Sequence, residues 1–310
     1  MLFTIYGKGR DTMRLFFKEN WSNFALFFIT LIGIFLLLIV TVPKAKPILG
    51  TGTMQEVKSE TKEVIHYTAI GDSLTEGIGD LTNSGGFVPL VAKDLQEHYR
   101  LNGVQTDNFG KNGDRSDQIL KRIKKNEEIQ EGLASADLIT LTVGGNDLMK
   151  VIKGDVFRLT KTSFEKPLKN YQKEVEKLFT EIRKYNPEAP IYVLGIYNPF
   201  YLYFPDITEM QEIVDSWNNG TEEIVKAEKN AYFIPINDLL YKGAGDEVGI
   251  VSSEDIASGT ASSSEQDIKN NALYEEDHFH PNNLGYQIMA STVRDKMVKT
   301  QDQWLKKGSE

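Results

Sequence analysis

The chain has 310 residues, 40% hydrophobic and 25% charged, which excludes wholesale disorder and allows one large domain or two small ones. Its net charge of −9 is unevenly spread. Residues 1–47 set Lys8, Arg10, Arg14, Lys18, Lys44 and Lys46 against Asp11 and Glu19, so the remainder is strongly acidic and speaks against a nucleic-acid partner, while the lack of cysteine excludes disulfides, thiolate zinc sites and a thiol nucleophile.

In chain order the first element is Phe24–Val42, "FALFFITLIGIFLLLIVTV", which carries no charge. A helix of this length rises about 28 Å, close to the ~30 Å hydrocarbon thickness of a bilayer. A cleaved signal peptide is the rival reading, but its apolar core is shorter and "TVPKAKP" is a poor cleavage site. The basic flank before the span predicts a single-pass cell-membrane protein. Residues 1–23 are then cytoplasmic, 24–42 transmembrane, and everything beyond lies outside the cytoplasm. Residues 43–62 lack apolar periodicity and read as a linker to a domain at 63–310.

From Val64 short apolar runs alternate with helical stretches. Strands are expected at 64–70, 104–109, 138–143, 191–196 and 232–236. Helices are expected near 88–100, 118–125, 164–185, 209–229 and 282–300. Near-continuous apolar strands alternating with helices predict an open α/β parallel sheet covered on both faces. Function in such sheets gathers at the carboxyl ends of the strands. The segment 243–275, rich in Gly, Ser and acids, reads as a surface loop or a lid.

The polar motifs fall where that rule puts them. Ser73, in "GDSL", follows the first strand; Asn112 and Gly113 follow the second; Asn146, in "GGND", follows the third. Asp277 and His280, in "DHFH", precede the last helix. A serine hydroxyl attacks only when a base takes its proton, and His is suited to that task near neutral pH. A carboxylate then fixes the ring's tautomer and stabilises its cation. The backbone N–H groups of Ser73 and Gly113 with the Asn146 side chain are candidate donors to the resulting oxyanion. Each motif alone also reads as a turn. His66 and His98 read as structural, and Asp72 and Asp147 as loop braces. A metal at Asp277, His278 and His280 lacks further ligands, so no metal or cofactor is expected.

Taken in order, Gly71-Asp72-Ser73-Leu74, Gly113, Gly144-Gly145-Asn146-Asp147 and Asp277 with His280 resemble the SGNH hydrolases, also called GDSL lipases or esterases. The resemblance runs from about Val64 to Val298 and looks most like a lysophospholipase-related bacterial branch in a membrane-anchored form. It implies a flavodoxin-like three-layer α/β/α sandwich with strand order 2-1-3-4-5. It also implies Ser73 as nucleophile and oxyanion donor, Gly113 and Asn146 as donors, His280 as base and Asp277 as its orienting acid. The anchor, the linker and 243–275 depart from the family pattern.

The acyl group is less legible. Tyr197, Phe200, Tyr201, Tyr203 and Phe204 follow the fourth strand and are candidates to line a substrate surface, or else to plug the loop onto the domain. Closeness to a membrane favours lysophospholipids or other lipid esters. O-acetyl groups on cell-wall polysaccharide are the alternative. A third reading, a non-catalytic cell-surface binding module, keeps the fold without the chemistry.

Overall fold

The computed structural model describes residues 20–41, 61–154, 161–201, 208–243 and 270–306. The chain divides into two units, Met1–Lys58 and Ser59–Glu310. The first contains helix α1 (Trp21–Thr41), whose side chains at Leu26, Phe27, Phe28, Ile29, Leu31 and Ile32 are exposed. Phe24, Phe35 and residues 37–41 are described only in their backbone. Among the described residues no helix is long and apolar enough to cross a membrane, so the expected span at 24–42 rests on the sequence alone.

The second unit is built on "VIHYTAIG", strand β1 (Val64–Gly71), buried from Tyr67 onward. Five strands run parallel in the order β2-β1-β3-β4-β5, with β2 at Gly103–Gly110, β3 at Leu138–Thr142, β4 at Ile191–Leu194 and β5 at Ala231–Ile234. This is the predicted order. The central strands β3 and β4 are buried throughout, which accounts for their unbroken apolar runs. Strand β2 lies at the edge, and its "QTDN" stretch is exposed.

Side-chain alternation along β1 feeds two layers. Ile65, Tyr67 and Ala69 pack with Val91 and Leu95 of α3 (Phe87–Tyr99, after the one-turn α2 at Ser73–Glu76) and with Met289 and Val293 near the C-terminus. Ile70 joins Ile139 and Leu141 of β3 on the opposite face. There they meet Ile119 and Ile123 of α4 (Ser116–Lys125), Leu133 of α5 (Glu127–Ser135) and Phe179. Each such side chain, fully buried, contributes about 1.5–3 kcal/mol. That face is completed by α6 (Gly145–Gly154), α7 (Lys161–Tyr185) and α8 (Thr208–Ala227). The short α9 (Asn237–Leu240) and α10 (Asn283–Lys299) close the chain on the first face. The helices α5 and α6 were not expected from the sequence.

The chain engages this unit before residue 63. Thr61 forms an antiparallel bridge with Lys306, and the Lys62 N–H donates to the Leu305 carbonyl at 2.7 Å. With every strand parallel, the carboxyl ends of β1, β2 and β3 deliver their loops to one edge of the sheet.

Candidate active site

Ser73 is the first residue of α2, placed by an abrupt change from strand to helix. Asp72 caps that helix, its Oδ1 accepting from the Leu74 N–H at 3.1 Å and from the Thr142 hydroxyl at 2.7 Å. Thr142 ends β3, so the cap also ties the Ser73 turn to the neighbouring strand. Asp72 is buried, and burial raises its pKa against the lowering effect of those hydrogen bonds.

The loop before α10 brings the candidate base. His280 Nε2 lies 2.9 Å from Ser73 Oγ, and its Nδ1 lies 2.6 Å from Asp277 Oδ2. The other oxygen of Asp277 accepts from the Phe279 and His280 N–H groups at 2.9 and 3.0 Å. Burial opposes ionisation of Asp277, but the His280 ring and these N–H groups outweigh it and hold the carboxyl below its ordinary range. Ser73 is 5% exposed, and the side chains of His280 and Asp277 are 13% and 35% exposed. The serine is thus enclosed while the acid keeps contact with water.

Two anchors hold this loop. Leu273 bridges Pro281, and the Tyr274 N–H donates to the His280 carbonyl at 2.7 Å. Asn282 caps α10 through the Leu284 and Gly285 N–H groups and donates its own amide to the Asn271 and Leu273 carbonyls. His278 adopts a positive φ of 51°, in the turn between the candidate residues Asp277 and His280.

Asn146 sits near the start of α6 and lines a cavity with Ser73, Leu74, Ile196, Tyr197 and Phe279. Its side-chain amide donates to the Asp114 carbonyl at 3.0 Å, using one of its two hydrogens. Gly113, on the turn after β2, has φ +79° and does not line that cavity. Its connection to Asn146 runs through the adjacent Asp114. The neighbouring Asn112 N–H donates to the Glu76 carboxylate of α2. The second expected brace is also in place, Asp147 accepting from the Ser116 N–H at 3.0 Å and its hydroxyl at 2.6 Å.

The aromatic candidates separate. Tyr197 lines the cavity, and its hydroxyl donates to the Phe279 carbonyl, a contact with no local signal in the sequence. Phe200 is outside the cavity lining, its ring 6.3 Å from that of Phe279. Tyr201 instead packs edge-on against Tyr241 at 4.6 Å. Tyr203, Phe204 and residues 244–269 lie outside the described residues. Among the described residues no group of three or more His, Asp or Glu is placed to hold a metal.

Comparison with known proteins gives the family. A family model for GDSL-like lipase/acylhydrolases matches residues 69–288. The chain is 32% identical over 248 residues to the uncharacterized protein YpmR of Bacillus subtilis, covering 80% of this chain and 87% of that one. It is 27% identical over 238 residues to the spore germination lipase LipC of Bacillus licheniformis, covering 74% and 95%. The solved lipase Lip_vut3 from a goat rumen metagenome shares the fold at a TM-score of 0.57 and 24% identity, over 74% of this chain and 96% of that one. The chain therefore belongs to the GDSL-like lipase/acylhydrolase family, and is an ester-hydrolysing enzyme.

Proposed function

We propose that the enzyme is a serine esterase in which Ser73 forms an acyl-enzyme, with His280 as general base and Asp277 as its orienting acid. The observation that carries this reading is the unbroken relay from Ser73 Oγ through the two ring nitrogens of His280 to Asp277. His280 Nε2 takes the hydroxyl proton as Ser73 Oγ bonds to the ester carbonyl carbon, and the resulting imidazolium is stabilised by Asp277. The tetrahedral oxyanion is met by the Ser73 and Gly113 N–H groups and by the Asn146 amide hydrogen not given to Asp114. Collapse expels the alcohol with the proton from His280. Water, activated by the same ring, then releases the acid.

The proposed substrates are lipid esters such as lysophospholipids, reached by a domain held at the membrane through residues 24–42 with residues 1–23 in the cytoplasm. The uncharged run at 24–42, the exposed apolar side chains of α1 and the apolar wall of Leu74, Val143, Ile196 and Phe279 beside Ser73 support this. One observation favours the alternative, an O-acetyl esterase acting on wall polysaccharide. The cavity beside Ser73 measures about 40 Å³, room for only a few heavy atoms when one water needs about 10–15 Å³.

Hydrolysis of p-nitrophenyl esters from two to twelve carbons tests both readings on the full chain. Ser73→Ala should lower kcat by about 10⁴-fold or more, and undiminished turnover would end the proposal. Rates that climb with acyl length support the lipid ester, and a maximum at acetyl supports the wall polymer.

A further inference from the structure

The three proposed oxyanion donors come from three different strand ends, and something must hold them in register. Arg122, on α4, bonds directly to the connections after β1 and β2, and reaches the one after β3 through Asp114. Its Nη2 donates to the Gly71 carbonyl at 2.9 Å, two residues before Ser73. Its Nη1 donates to the Phe109 carbonyl at 3.0 Å, at the end of β2. Its Nε donates to the Asp114 carboxylate at 2.6 Å, one residue after Gly113. Asp114 in turn accepts from the Asn146 amide through its backbone carbonyl.

We propose that Arg122 is the positioning residue of the oxyanion hole, a role that rests on the serine-esterase reading above. It touches no reacting atom. Its planar fork of N–H groups fixes the directions of three acceptors at once, which the point charge of a lysine does not do. The side chain is 21% exposed and its partner Asp114 8%, so water competes weakly for these bonds. The Gly71 carbonyl also accepts from the Lys111 N–H at 3.1 Å, so the turn carrying Gly113 is tied back to the strand that carries Ser73. Loosening this cation lets the donors drift from the position of the oxyanion. An interaction made only in the transition state is weakened, and substrate binding is left alone.

The test is steady-state kinetics of full-chain Arg122→Lys and Arg122→Gln on p-nitrophenyl acetate, with binding of a trifluoromethyl ketone that mimics the tetrahedral state. Deleting one donor outright costs about 10²–10³ in kcat, so displacement should cost about 10–100-fold with KM within about 3-fold. Inhibitor affinity should fall by the same factor as kcat. Arg122→Gln combined with Asp114→Asn should lose little more than the worse single variant, because both cut one link. A kcat within two-fold of the parent, a loss confined to KM, additive losses, or a loss matching the unfolded fraction by circular dichroism would each overturn the proposal. Reaction of the unmodified chain with a fluorophosphonate separates the two failures. An unreactive Ser73 sinks the esterase reading itself, whereas a reactive Ser73 with unimpaired Arg122 variants sinks only the role of Arg122.

Discussion

Tyr197 shows how one side chain serves two purposes. Its ring lines the cavity beside Ser73, and its buried hydroxyl donates to the Phe279 carbonyl in the loop that carries His280. Burial pushes the phenol's pKa well above its ordinary value, so it stays a donor throughout the working range. Tyr197→Phe keeps the ring and removes the tether. It should cost about 1 kcal/mol of stability and leave the Phe279 carbonyl unpaired. Turnover should fall several-fold as His280 gains freedom, and unchanged kcat would show that the loop is held without this bond. Nothing local announced the contact, which spans 82 positions. Ser73, Asn146, Asp277 and His280, which the structure brings to one site, stood out in the sequence because a serine, an amide, a carboxylate and an imidazole are chemically distinctive in Gly-rich loops. Tyr197 was among the aromatic candidates for the cavity wall, but its bond to Phe279 and the role of Arg122 were not readable, because an arginine on an amphipathic helix and a phenol hydroxyl look ordinary until folded.

Among the elements, the segment between α2 and α3 is organised by Asp80. Its carboxylate accepts from the Thr82, Ser84, Gly85 and Gly86 N–H groups, the Thr82 hydroxyl and the Asn283 amide, at 2.6–3.2 Å. Desolvation opposes the charge, but these donors prevail and lower the Asp80 pKa. A carboxyl depressed in the folded state adds stability that is fully present above its unfolded value near 4, and that is lost as pH falls through the folded value. Asp80→Asn should therefore lose about 2 kcal/mol at pH 7, with the deficit shrinking toward acid pH. Urea melts of both proteins from pH 7 to pH 3 check this, and a deficit independent of pH would refute it. Helix α5 was missed because "EEIQEGLAS" carries Gly132, yet that glycine serves close packing: a Cβ there would meet the Phe109 ring at 2.7 Å. Helix α6 was missed because it opens on a glycine pair that reads as a turn.

For the molecule as a whole, an open parallel sheet with its polar loops gathered at one edge was legible from strand–helix alternation, whereas the strand order followed only from the family resemblance. The acyl preference was not, since it depends on the width of a cavity formed by residues far apart in the chain. Placement at a membrane is a separate proposal with its own test. Expressed in bacterial cells, the full chain should stay with the membrane pellet through an alkaline carbonate wash, as a spanning helix requires. Release into the supernatant would remove the anchor and leave the catalytic proposal untouched.

The most direct measurement is mass-spectrometric mapping of the full chain after treatment with a fluorophosphonate, which bonds only to an activated alcohol. A pocket in which imidazole deprotonates alcohol should give one adduct, on the peptide containing Ser73. The adduct should be absent from Ser73→Ala and form about 100-fold or more slowly in His280→Ala. An intact Ser73 peptide, or labelling indifferent to His280, would contradict the account.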